Sequence, residues 1–254
     1  TPPVIETASI SDEDPFKDND PIAQTTDVFV KIRANDEPNG AEASSGLASY
    51  CIVRYRFNVA QRFWEPTSCT FTPLPPEEDG AFIVDETIPS FGGVVYAFVW
   101  VRDNAGNISR RPAFAFISFL PSEPFNLNRN NVAIFRIPLQ PGVSQTLSFT
   151  PVIGDVDVAV FDDFRDPNAN RVALSANNGP VCEEVTFTGQ DGQPNRFQVE
   201  VLAFANSVVQ VAQEGCPDVA AAGVSSAPTE TRAAPDKPIV AGPPALFSAI
   251  EDDV

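Results

Sequence analysis

The chain of 254 residues has no His, no Met, 3 Lys and 4 Cys. Each shortage excludes something. Without His there is no Ser–His–Asp or Cys–His nucleophilic site, no His-ligated zinc and no His-held haem. The 16 Lys+Arg are outnumbered by 34 Asp+Glu, and a net charge of −18 repels phosphate backbones and anionic lipid headgroups alike. No nucleic-acid partner is therefore expected. No apolar run approaches the ~18–20 residues of a membrane span, so no membrane insertion is expected either. A concentrated charge patch is also missing: residues 1–120 carry −8, 121–217 carry −6 and 218–254 carry −4. Acidity spread in this way makes a solubilising coat and marks no single docking site.

What is present is enough to fold. Apolar residues make up 43% of the chain and charged residues 20%, a balance that builds a core and argues against global disorder. At roughly 100–150 residues per domain, two domains are expected. The apolar pattern alternates with period two and is broken by turn clusters every ~8–12 residues, which points to an all-β sandwich class. Strands are expected over 27–34, 48–58, 62–72, 81–88, 94–103 and 113–119. Asn39-Gly40, Gly92-Gly93 and Asn104-Ala105-Gly106-Asn107 supply turns. Residues 119–128, with Pro121 and Pro124, read as a short stiff linker. A second series follows over 131–138, 145–151, 156–161, 171–175, 183–189, 196–205 and 208–213. From Asp218 the texture turns to Ala, Pro, Ser and Thr without period, giving an extended C-terminal tail over 218–254.

Four Cys without a C-x-x-C spacing fit two disulfides and an oxidising compartment better than metal ligation. A start at Thr1-Pro2-Pro3 without Met reads as a chain whose signal peptide has been removed, and a secreted or cell-surface location is expected. In a hairpin of 48–58 and 62–72, a three-residue loop at Val59-Ala60-Gln61 places Cys51 opposite Cys69. The bond would lie on the face that carries Val53, Tyr55 and Phe57. Cys182 and Cys216 then pair by elimination. A simple meander of the last three strands would hold them roughly 20 Å apart at ~3.3 Å per residue. A disulfide spans about 5.5–6 Å between Cα atoms. Either Cys182 belongs to the preceding loop, or the chain folds back after Gln213.

Residues Ser45-Gly46-Leu47-Ala48-Ser49-Tyr50, then Trp64, then Tyr96-Ala97-Phe98-Val99-Trp100-Val101-Arg102-Asp103-Asn104-Ala105-Gly106-Asn107 form a pattern that resembles bacterial immunoglobulin-like domains. The resemblance covers residues 1–120 and implies an Ig-like sandwich serving as a spacer, adhesin or polymer-binding unit. Over 128–214, the order Val132–Ile137, Leu147–Thr150, Asp155–Phe161, Glu183–Phe187 and Phe197–Leu202 resembles the pre-peptidase C-terminal domain. That family is a small, jelly-roll-like β-sandwich appended to secreted proteases and surface proteins. The usual Tyr after the Asp-x-Asp is missing, and Cys182 and Cys216 are extra.

Several acidic groups could carry chemistry. Asp12, Glu13, Asp14, Asp18 and Asp20 precede the first strong strand, and oxygen-rich loops of this kind bind Ca²⁺. The Gly and terminal Glu of an EF-hand loop are lacking. A calcium site at Asp12, Asp14, Asp18 and Asp20 therefore stands beside a plain solvated loop, and no other cofactor is implied. Asp155 and Asp157, followed by Asp162, Asp163 and Asp166, resemble a carboxylate pair, but glycoside hydrolysis needs an aromatic-walled cleft. The two Trp, 64 and 100, lie in the other half of the chain. Calcium binding or turn chemistry is the alternative there. Asn107-Ile108-Ser109 is a glycosylation sequon inside a turn. In the tail, Ala245–Ile250 is apolar, Pro-free and of strand length, so Leu246, Phe247 and Ile250 could add to a sheet edge of another copy or of another surface protein. Ile239-Val240-Ala241 is a shorter candidate. The expectation is a non-enzymatic extracellular structural or adhesion protein; the alternative is an accessory substrate- or polysaccharide-binding region of a secreted hydrolase.

Overall fold

Every regular element is a strand in the computed structural model, which describes residues 2–14, 21–36, 44–58, 61, 63–216 and 236–238. The first half contributes β1 (Val4–Ser11), β2 (Ile22–Ala23), β3 (Asp27–Asn35), β4 (Leu47–Asn58), β5 (Phe63–Pro66), β6 (Thr72–Pro73), β7 (Glu77–Glu78), β8 (Ala81–Thr87), β9 (Gly93–Asp103) and β10 (Ala113–Phe119). The second contributes β11 (Phe125–Leu127), β12 (Val132–Pro138), β13 (Ser144–Ile153), β14 (Val156–Phe161), β15 (Arg171–Ser175), β16 (Glu183–Thr188), β17 (Arg196–Ala203) and β18 (Ser207–Ala212). Among the described residues no helix is long and apolar enough to cross a membrane.

These strands form two β-sandwiches, and the sandwiches stack on each other. The outermost sheet of the first has the order β1-β3-β8-β7, and its inner partner has β2-β10-β9-β4-β5. Ile10, Val28, Val30 and Ile32 from the outer sheet meet Val99, Val101 and Ile117 from the inner one in a dry core. In the second sandwich the sheet β12-β17-β14-β15 faces the sheet β11-β18-β13-β16. Phe135, Val158, Val160 and Val199 pack there against Phe149, Phe187 and Val209. A third cluster joins Phe57, Val94, Tyr96 and Phe98 of the first sandwich to Val132 and Ile134 of the second. Each such side chain contributes ~1.5–3 kcal/mol on full burial. Several together outweigh the freedom gained by letting two units swing on a short connection, so the sandwiches dock as one stack of four sheets.

Three local expectations need correction. The strand expected over 62–72 is broken into β5 and β6: just past Pro66 the Thr67 N–H still donates to the Arg54 carbonyl at 2.9 Å, but the Arg54 N–H donates to Thr67 Oγ1 at 2.9 Å in place of the Thr67 carbonyl, and the ladder ends there. The register is also offset by one from the expected hairpin. Tyr55 faces Pro66 and Phe57 faces Trp64, while beyond the break Tyr50 faces Thr72. Cys69 thus lies between strands, in a short arch whose Cα is 5.6 Å from that of Cys51, to which it is bonded. The loop residues Val59 and Ala60, and the Asn39-Gly40 turn, lie outside the described residues. The stretch 119–128 is no mere linker: Leu120, Phe125 and Leu127 are buried in the second core, and Phe125 pairs with Val209.

The last strands do not form a meander. β17 crosses to the opposite sheet, while β16 and β18 flank β13 and run antiparallel to it. Ser148 of β13 lies opposite Glu184 on one side and Ala212 on the other. The end of β18 therefore arrives level with the start of β16, two strand spacings away. The chain then bends across to bond Cys216 to Cys182, with Cα atoms 5.9 Å apart, and the Cys216 N–H donates to Glu184 Oε2 at 2.7 Å. Entry into β14 depends on Gly154, whose φ of +94° is left-handed; a Cβ there would lie 2.2 Å from Ser207 Oγ.

Candidate functional site: the face between the sandwiches

The docking face arises from strands that are apolar on both sides. In β9, Val95, Ala97, Val99 and Val101 point into the first core, and Val94, Tyr96, Phe98 and Trp100 point toward the second sandwich. β10 divides likewise, with Ala115 and Ile117 inward and Phe114 and Phe116 outward. In β4 the apolar face of Val53, Tyr55 and Phe57 belongs to this outward set, while Ile52 serves the first core. The rings meet edge-on or tilted: Trp64–Tyr96 at 5.2 Å, Tyr96–Phe116 at 5.6 Å and Phe116–Phe164 at 5.5 Å between centroids. Such pairs add directionality to an otherwise non-directional contact.

One cation sits inside this aromatic face. Arg136, in the middle of β12, is 1% exposed. Its guanidinium carbon lies 4.9 Å from the ring centre of Phe164, 5.3 Å from Tyr96 and 5.6 Å from Trp64. Nε donates to Gln198 Oε1 at 3.1 Å, and Nη1 donates to the Tyr96 hydroxyl. Gln198 Nε2 in turn donates to Glu200 Oε1 at 2.7 Å. The Arg136 N–H donates to Ser118 Oγ at 2.7 Å, and Ser118 Oγ–H donates to the Arg136 carbonyl at 2.9 Å. Burial pushes the guanidinium down to about 9, against the pull of Glu200 and Asp163, so it remains a cation at neutral pH. Ring quadrupoles and fixed dipoles take the place of lost hydration. The expected residues of interest did not include this cluster. Its signal was a charge inside the run Val-Ala-Ile-Phe-Arg-Ile, together with a β9 apolar on both faces.

The sequence-expected residues are distributed elsewhere. Asp12 Oδ2 accepts the backbone N–H groups of Gln24 and Thr25 at 2.6 and 3.2 Å, fastening a loop. The Asp14 N–H donates to Ser11 Oγ at 3.3 Å, and Asp18 and Asp20 lie outside the described residues. Among the described residues there is no group of three or more metal-ligating side chains. Leu246, Phe247 and Ile250 lie outside the described residues.

Asn107 Nδ2, the atom a glycan would occupy, donates to Asp103 Oδ2 at 2.7 Å, and the Asn107 N–H donates to Asp103 Oδ1 at 2.7 Å. Burial opposes the charge on Asp103, yet these bonds hold its carboxyl below the usual range. This Asn is a turn former. Asp162 accepts the N–H of Asn170 at 2.8 Å, and Asp166 accepts that of Asn168 at 2.7 Å. Asp163 Oδ2 pairs with Arg196 at 2.9 Å. Asp155 Oδ1 accepts the Gly179 N–H at 3.0 Å, whereas Asp157 is buried in β14. Asp155, Asp162, Asp163 and Asp166 thus fasten turns and loops.

Glu183 is the carboxylate that sequence reasoning passed over. Fully buried at the start of β16, it accepts Ser175 Oγ–H at 2.5 Å, Asn177 N–H at 2.8 Å and Asn177 Nδ2–H at 3.1 Å. Burial raises its pKa above the ordinary 4.5; those bonds act against the rise, and the charge of Asp157 adds to it. The folded state therefore holds this proton more tightly than the unfolded chain. The corresponding stability is complete below pH 4.5 and is lost as pH rises through the folded value. We predict that the urea midpoint of the native chain falls relative to that of Glu183→Gln between pH 4.5 and neutrality. Parallel pH profiles would contradict this.

No protein-family model matches the chain, and no curated protein matches it. Solved structures with a similar arrangement include the secreted serine protease VesC from Vibrio cholerae, with a TM-score of 0.34 and 8% identity over 76% of this chain and 48% of that one. A putative membrane anchored protein from Corynebacterium diphtheriae follows at TM-score 0.31 and 9% identity, over 81% of this chain and 51% of that one. The tetra-tandem repeat in the extending region of a large adhesion protein has TM-score 0.29 and 14% identity, over 83% and 48%. The chain spans about half the length of each of these three.

Proposed function

We propose that this chain is a non-enzymatic structural or adhesion module of an exported protein, and that its C-terminal segment joins it to other copies by strand addition. The face-to-face docking of the two sandwiches carries this reading. A spacer or load-bearing module requires units that keep a fixed geometry, and an aromatic face closed around Arg136 supplies one. Two disulfides, with no free cysteine, fit a chain that matures in an oxidising compartment. The strand order of the first sandwich also supports an Ig-like assignment. β1, β3, β8 and β7 follow the A-B-E-D order of that fold, and β4, β9 and β10 follow C-F-G.

The test is hydrodynamic. Sedimentation of the native chain should show concentration-dependent assembly, and a Leu246→Asp, Phe247→Asp, Ile250→Asp variant should sediment as a monomer. A native chain that stays monomeric at high concentration, or a variant that assembles as well as the native chain, overturns assembly through this segment.

A further inference from the structure

The second sandwich opens on one side into a groove of about 440 Å³. One sheet supplies Val172 of β15 to its lining, the other supplies residues 186–188 of β16, and the loop between β16 and β17 adds Gln190, Gln193 and Pro194. Phe187 and Phe197, both buried and with ring centres 4.9 Å apart, close the bottom. Val172 reaches the groove through a bulge. Val160 pairs with Ala173 and the next residue, Phe161, with Arg171, so Val172 is the extra residue that no partner matches. Bulges re-aim side chains in this way, and Val172 is left 49% exposed beside a polar surface.

The polar part of the lining is held in place before any ligand arrives. Asp162 Oδ1 accepts the Asn170 N–H at 2.8 Å, and Oδ2 accepts Asn170 Nδ2–H at 3.3 Å. Each carboxylate oxygen keeps a lone pair beyond these bonds, and Asn170 keeps its side-chain carbonyl. At the other side, Asn195 is buried with a left-handed φ of +51°, a conformation that persists in a non-Gly residue only where its surroundings fix it. Its Oδ1 accepts the Gln190 N–H at 2.7 Å and its Nδ2 donates to the Gln190 carbonyl at 2.9 Å. The Gln193 N–H donates to the same carbonyl at 3.3 Å. The loop backbone is thus fixed by its own bonds, and the exposed side-chain amides of Gln190 and Gln193 take no part in fixing it.

A ligand that fits this lining combines a small apolar face with a dense rim of donors and acceptors. A pyranose ring has both, C–H groups on its face and hydroxyls around its edge. We propose that the groove binds a segment of a neutral polysaccharide. Val172 and Pro194 meet the C–H face of a sugar ring, and Asp162, Asn170, Gln190 and Gln193 take its hydroxyls. Charge narrows the ligand further. Among the described residues no Lys or Arg lines the groove while Asp162 does, so uronates and sulfated or phosphorylated sugars are repelled. The inference goes beyond the proposed function by giving the module a ligand class, and it does not depend on assembly through the C-terminal segment.

Affinity electrophoresis of the full chain in native gels tests this, with dextran, laminarin, galactomannan and hydroxyethylcellulose as neutral probes and polygalacturonate as the acidic one. At least one neutral probe should retard the native chain, and polygalacturonate should not. Replacing both amides, Gln190→Ala with Gln193→Ala, should weaken binding to that probe about tenfold, the loss expected for two hydrogen bonds. Val172→Asp, which sets a charge against the apolar face of the sugar, should act in the same direction. All three positions are exposed, so the urea midpoint should stay at the native value and serves as the control for folding. No retardation by any neutral probe, retardation by polygalacturonate alone, or equal affinity of the native chain and the double variant overturns the proposal. Sedimentation of the Leu246, Phe247 and Ile250 variant reports separately on assembly, so either reading can fail without the other.

Discussion

Replacing Arg136 with Ala is expected to destabilise the protein by about 3–5 kcal/mol, the range for deleting one member of a buried charged network. Two effects combine. The box formed by Trp64, Tyr96 and Phe164 loses its occupant and cannot collapse, because its walls belong to two different sandwiches. Gln198 Oε1 and the Tyr96 hydroxyl also lose the donor that Arg136 supplies while they remain buried, which adds to the cost. Arg136→Met separates these effects, since it fills the volume and brings no charge. It should fall between the native protein and the Ala variant. Arg136→Lys should not rescue, because a hydrated point charge cannot present the planar fork. Urea unfolding at pH 7 measures all three. Both Trp residues belong to strands of the first sandwich and lie on the docking face, so their fluorescence follows that half together with the face, and far-ultraviolet dichroism follows both sandwiches. The two signals should coincide in the native chain and separate in Arg136→Ala. A loss below about 1 kcal/mol with coincident signals would show that the docking face does not depend on this cation.

Why Arg136 escaped a linear reading is physical. Period-two alternation identifies a strand with one wet face, and it located β3, β15 and β16 within a residue or two, while β10 and β14, covered on both faces, were bounded by the turns on either side. The same rule assumes that a domain's outer face meets water. In β4 the apolar face of Val53, Tyr55 and Phe57 was legible, but which core it belonged to was not, since a strand can bury either side. The continuous apolar run of β9 stated that both sides were covered, and only the stacking of two sandwiches identifies the cover. β1 has weak alternation and pairs with β3 across a bulge, and β11 is only three residues long behind Pro124, so neither stands out locally. Glu183 shows the converse. Its neighbour Glu184 is exposed and looks identical in sequence, and only the pleat decides which of the two is buried.

Removing the Cys182–Cys216 bond, by Ser at both positions, should cost about 3–4 kcal/mol on the loop-closure estimate for a separation of 34 residues. The Cys51–Cys69 bond closes 18 residues and gives about 3 kcal/mol by the same relation, so loop length alone hardly separates them. Position does. Cys51–Cys69 ties an arch to a strand that is already paired on both sides, and its loss should loosen 67–71 locally while β4 and β9 stay matched. Cys182–Cys216 joins the start of β16 to the chain leaving β18, and between them lies β17 in the opposite sheet. The bond therefore closes a loop that crosses the core, and without it the edge strand β16 is held by β13 alone. Hydrogen exchange should distinguish the two cases. In the Cys182→Ser, Cys216→Ser variant, protection should fall together across β13, β16 and β18. In the Cys51→Ser, Cys69→Ser variant it should fall only near residues 67–71. If both variants lose protection uniformly over the whole chain, the cross-links act through the unfolded ensemble alone, and their placement in the two sandwiches makes no separate contribution.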